Sequence, residues 1–146
     1  MKRHIIYTLL SVLLLFAGWG CRNSDLWDDV PSPIAEFINR YFPYSELSSV
    51  SDNGSSYHIR IDDGPGLTFS SDYSWESIDG YGMPLPQVLL FDQLPPKLYN
   101  YIQETEQLNG VFSLERNKDY YLVTLMDTTL KYVIESGELS EVIHNA

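Results

Sequence analysis

The 146-residue sequence predicts an α+β fold made of two tandem repeats, each a helix followed by about four antiparallel strands, packed together. Three observations predict it. Apolar residues fall at helical spacing twice, in VPSPIAEFINRYFP and again in LPPKLYNYIQ. Each stretch is followed by segments in which apolar and polar residues alternate. The two stretches also superpose at an offset of 64 residues, Ile34 over Leu98, and apolar positions then coincide almost throughout.

The first helix rests on Ile34, Phe37, Ile38, Tyr41 and Phe42, which share one helical face. Ser32 and Pro33 suit its N-cap and first position, and Pro43 stops it. The period then changes to two. Tyr57, Ile59 and Ile61 alternate with His58, Arg60 and Asp62, the mark of a half-buried strand. Asp52-Asn53-Gly54 and Asp63-Gly64-Pro65-Gly66 carry turn chemistry on either side. Leu67 and Phe69 form the next strand, and Trp75 and Ile78 a short last one.

In the second copy Leu98, Tyr101 and Ile102 mark the helix, with strands near 110–116, 119–126, 129–135 and 138–143. That helix loses the match at Glu104-Thr105-Glu106-Gln107 and is expected to end early. A unit of about 50 residues buries too little surface to be stable alone. The connector between the copies is apolar, with Met83, Leu85, Val88, Leu89, Leu90 and Phe91, so these residues are expected in the join.

The N-terminus supplies a different signal. Lys2 and Arg3 precede an apolar run from Ile5 to Ala17, too short for a helix that spans a bilayer, which needs about 20 residues. Small residues then lead into Cys21. This layout predicts a secretory signal and resembles a bacterial lipoprotein signal, which implies that Cys21 is acylated and becomes the first residue. The alternative is a plain secretory signal that leaves one stray thiol. Cys21 is the single cysteine, so no intrachain disulfide can form. The expected organisation is a signal over 1–20, an acidic tether over 21–29, repeats over 30–79 and 94–146, and the connector over 80–93. Lipid chains would anchor the protein to a membrane without crossing it.

Nine basic residues stand against 20 acidic ones, for a net charge of -11. Loss of Lys2 and Arg3 with the signal leaves seven against 20. Such a charge repels nucleic acid, and no nucleic-acid partner is expected.

The sequence from Val30 through the Tyr57 strand, Leu67 to Phe69, Trp75, the Pro-rich joint and the second copy resembles the PepSY-like, beta-lactamase-inhibitor-like family of bacterial envelope lipoproteins. The resemblance covers about residues 28–143. It implies tandem helix-plus-sheet repeats, a Gram-negative envelope location at the outer membrane, on its periplasmic side or its outer surface, and protein binding or inhibition through an open sheet face. It implies no catalytic or cofactor residue.

The residues themselves point away from catalysis. His4 falls in the signal and His144 at the expected frayed end, which leaves His58 on a polar strand face, with no second ordered histidine or cysteine to complete a nucleophilic triad or a zinc site. Asp52-Asn53-Gly54 and Asp62-Asp63-Gly64 do not follow the EF-hand loop and read as hairpin turns. No metal or cofactor is expected. One contrast suggests binding. The outer strand face of the first copy is polar, with His58, Arg60, Asp62, Thr68 and Ser70. The matching face of the second carries Tyr120, Leu122, Thr124, Met126, Lys131 and Val133. Tyr120, Leu122, Met126, Lys131 and Val133 are the candidate binding face for a protein or peptide. The competing expectation is that the connector or the other copy covers them. Inhibition of a periplasmic or secreted hydrolase is the alternative function.

Overall fold

Strict alternation along a strand puts every second side chain on the same side of a sheet, and the computed structural model turns this into one plate. It describes residues 24–144. The signal segment and Cys21 lie outside the described residues. β1 (Leu47–Asp52), β2 (Ser56–Ile61), β3 (Gly66–Ser70), β4 (Trp75–Asp79), β5 (Ser113–Arg116), β6 (Tyr120–Thr124), β7 (Thr128–Val133) and β8 (Leu139–Ile143) form a single antiparallel sheet in sequence order. The fold is therefore α+β.

The registers run straight across. One row reads Val50, Ile59, Leu67, Ile78, Leu114, Val123, Leu130 from β1 to β7. Every member from Ile59 to Leu130 is buried. The neighbouring row reads Ser51, His58, Thr68, Ser77, Glu115, Leu122, Lys131, Ser140. None of these is buried. One side of the sheet is a core, and the other stands open.

Helices cover the core side. α1 (Ser24–Asp28) packs near β1, with Trp27 half-buried against the core and Val30 buried just after it. The stretch expected as a tether is thus folded from Ser24 onward. α2 (Ser32–Tyr41) buries Ile34, Ile38 and Tyr41, and Phe37 meets the Phe69 ring edge-on at 5.4 Å. Pro31, not Ser32, holds its N-cap, so the helix starts one residue earlier than its sequence signals suggest.

The connector departs from expectation. It folds as α3 (Gln87–Gln93), followed by α4 (Pro96–Glu104) and a 3-10 turn (Leu108–Gly110). Leu85, Leu89 and Leu90 are buried, whereas Met83, Val88 and Phe91 are 61%, 51% and 67% exposed. A helix can turn only one stripe of an apolar run inward, so half of this run faces solvent rather than the join. α4 buries Leu98 and Ile102 and ends at Glu104, with Glu106 in the left-handed region at φ 58°.

What joins the two ends of the sheet is the β4–β5 pairing itself, Ile78 opposite Leu114. A polar chain ties the helices to it. Arg40 and Tyr41 both donate to one oxygen of Asp92, at 2.8 and 3.0 Å. Gln93 donates to the Tyr41 hydroxyl and accepts from the Trp75 indole N–H at 2.9 Å. Arg116 donates to the Trp75 carbonyl at 2.7 Å, its guanidinium 4.1 Å from the indole. Hydrogen bonds from Arg40 and Tyr41 hold the Asp92 carboxyl below the usual carboxylate range.

Candidate binding face

The five candidate residues do not fall together equally. Tyr120 and Val133 are direct cross-strand partners, and so are Leu122 and Lys131, two rungs along β6 and β7 on the same face. These four make a compact patch, with the Lys131 ammonium 4.7 Å from the Tyr120 ring. Cross-strand neighbours on one face lie close enough for their side chains to interact. Tyr120, Leu122 and Val133 are half-buried and Lys131 is exposed. Leu122 and Lys131 alternate along their strands with the buried Val123 and Leu130, so among the described residues the patch lies on the side of the sheet opposite the core. Met126 stands apart, because β6 stops at Thr124 and Met126 falls in the following turn, 75% exposed.

The open side is poor in charge for so acidic a chain. Along its paired rows the charged positions are Arg60, Asp79, Glu115 and Lys131, two of each sign. Serine and threonine occupy much of the rest. Depletion of charge is a property of interface cores.

Strand alternation missed a second feature. Tyr81 follows β4 in a loop, with φ 50°, a left-handed conformation that a bulky residue rarely adopts. Gly80 allows the loop to turn there. A Cβ on Gly80 would meet the Met83 carbonyl oxygen at 2.1 Å, and its N–H is bonded to the Phe112 carbonyl at 2.8 Å. Asp79 accepts the Tyr81 N–H at 2.8 Å. The Tyr81 ring then lies back over Gly66 of β3, where a Cβ would come within 2.8 Å of its hydroxyl. The Arg60 guanidinium stacks on this ring at 3.7 Å. Together they wall a groove of about 390 Å³ on the open side of β1–β4.

His58 lies in the same groove. Its Nε2 is 3.0 Å from the Ser56 hydroxyl and its Nδ1 3.2 Å from that of Thr68, and no carboxylate among the described residues bonds to it. Asp52 accepts the Gly54 N–H and Asn53 accepts those of Ser55 and Ser56, as turn chemistry requires. Among the described residues no three histidine, cysteine or acidic side chains stand close enough to hold a metal ion, and no helix is long and apolar enough to cross a membrane.

Comparison with known proteins defines a fold rather than a family. No family model matches the chain, and no curated protein matches it in sequence. Solved structures do. A Bacteroides thetaiotaomicron protein, whose name proposes that it is calcium-regulated and periplasmic, is 25% identical with a TM-score of 0.65, over 81% of this chain and 92% of its own. A Bacteroides vulgatus protein of the DUF2874 family, also named as a proposed periplasmic protein, is 18% identical with a TM-score of 0.64 over the same shares. A second Bacteroides vulgatus protein, of unknown function and likewise proposed to be periplasmic, is 21% identical with a TM-score of 0.63, over 77% of this chain and 93% of its own.

Proposed function

We propose that this chain is a non-catalytic protein of the Gram-negative envelope, held to the outer membrane by lipid on Cys21, that binds a protein or peptide through the open side of its sheet. The observation that carries the binding is the uncovered, charge-poor patch of Tyr120, Leu122, Lys131 and Val133 in a chain of net charge -11. Tyrosine offers large contact area at low entropy cost. The envelope location draws on the signal-like N-terminus and on the periplasmic names of the similar structures. The proposal includes kinship with the PepSY-like, beta-lactamase-inhibitor-like family, the two halves being copies of one unit. In favour, α2 and α4 begin 64 residues apart, as do β2 and β6, and β4 and β8.

Capture from an envelope extract of the source cell tests the face. The unaltered chain should retain a discrete protein that Leu122→Asp loses, while Glu36→Gln, on the helical side, keeps it. Equal capture by Leu122→Asp would count against the open side as the contact.

The second reading is inhibition of a periplasmic or secreted hydrolase. Tyr44 favours it: this residue stands fully exposed at 102% in the loop after α2, with φ 61°. An inhibitor that plugs a cleft with this loop would lose potency on Tyr44→Ala and keep it on Leu122→Asp.

A further inference from the structure

Several features place an unusual arginine in the Tyr81 groove. Arg60 is half-buried in a chain with 20 acidic residues. Among the described residues its guanidinium is nevertheless in no ion pair or hydrogen bond, and it stacks on the Tyr81 ring at 3.7 Å. The ring is fixed in turn by the strained backbone at Tyr81, by Asp79 and by the missing side chain at Gly66. A residue kept in a sparsely populated conformation is a pointer to function when its surroundings enforce it. Here they enforce one orientation of a planar five-donor fork.

We infer that this groove receives the C-terminal carboxylate of a peptide. A guanidinium fork matches the two oxygens of a carboxylate, and stacking on an aromatic ring leaves its edge donors free. Ser49 and Ser77 line the groove with hydroxyls, while Thr68 and His58 line it already bonded to each other. Asp79 also lines it, so the groove carries one charge of each sign. That balance disfavours a bare multivalent anion and suits a single carboxylate flanked by a donor. A peptide end has this form, because its last amide N–H sits beside the carboxylate. One Asp79 oxygen serves the Tyr81 N–H, and the other has no partner among the described residues. The site rests on the reading of the open side as peptide-binding, but it shares no residue with the β6–β7 patch.

Titration of the isotope-labelled chain, followed by NMR at the Arg60 Nε–H and the Tyr81 ring, separates the outcomes. The probes are N-acetyl-trialanine, its C-terminal amide, and acetate. The free acid should shift both signals saturably, with the amide and acetate each at least tenfold weaker. Followed at the Tyr81 ring, Arg60→Lys should weaken the acid about tenfold and Arg60→Met should abolish its effect, while Leu122→Asp leaves both signals unchanged. Amide binding as tight as acid binding overturns the proposal, as does the absence of a saturable shift. Acetate as tight as the tripeptide also overturns it, since the groove would then take any small carboxylate. If the free acid binds as expected while Leu122→Asp retains the envelope partner, the β6–β7 patch reading fails and this one stands.

Discussion

The two ends of the sheet share a back and differ in front. Behind, Ile59, Leu67 and Ile78 continue into Leu114, Val123 and Leu130 with no change in burial. In front, β1–β4 present hydroxyls, His58 and the Arg60–Tyr81 stack, while β6 and β7 present Tyr120, Leu122 and Val133. The back answers to packing, which tolerates little change. The front answers to solvent and to whatever binds there, and nothing in the core dictates its chemistry. The divergence of the two fronts is therefore where the two ends of the sheet can differ in function, a polar pocket on one and an apolar patch on the other.

The sharpest way to break this comparison is at the seam. Ile78→Ala and Leu114→Ala each empty a fully buried site and should each cost about 2–5 kcal/mol. If the backs form one core, both variants should melt in one cooperative transition, read by chemical denaturation. Two separate transitions would show that the ends fold apart. A smaller effect is expected from Asp92→Asn, which removes the negative charge that accepts from Arg40 and Tyr41. The folded carboxyl is depressed, so its stabilising contribution is present above the unfolded pKa and fades as pH falls through the lower, folded one. The stability difference between the unaltered chain and Asp92→Asn should narrow on acidification through and below the ordinary carboxylate range, as thermal melts at stepped pH would show. The smallest effect belongs to the turn after β6, beyond the patch. Met126→Ser should change stability by no more than about 0.5 kcal/mol, since the side chain is 75% exposed. A larger loss would mean that this turn is structural after all.

Much of the plate was legible in the residues because it depends on period. Ile34, Phe37 and Ile38 announce a helix, and Tyr57, Ile59 and Ile61 a strand, whatever surrounds them. β1 was harder to read, because LSSVSD is an edge strand with little to bury and shows no clean alternation. α3 was read as an oily joint because an unbroken apolar run hides its period. Its Pro86 start and its polar Asp92-Gln93 end were the available signals. The patch on β6 and β7 could be listed from alternation, but excluding Met126 required knowing where the strand stops. The Tyr81 groove had no sequence signal. It depends on Arg60, Gly66 and Asp79 sharing a row across three strands, and on a loop that folds back over that row. Such juxtaposition arises only from register.

The strand order also bears on how the molecule reaches its native state. Six of the seven pairings join strands linked by a short turn, and these hairpins can form early and locally. The β4–β5 pairing alone must wait for the chain between Asp79 and Ser113, two helices included, to close on itself. That closure carries the largest entropy cost of any pairing in the sheet. Refolding speed should accordingly be set at this junction, with conservative truncations such as Ile78→Val slowing it more than equal truncations within either hairpin array.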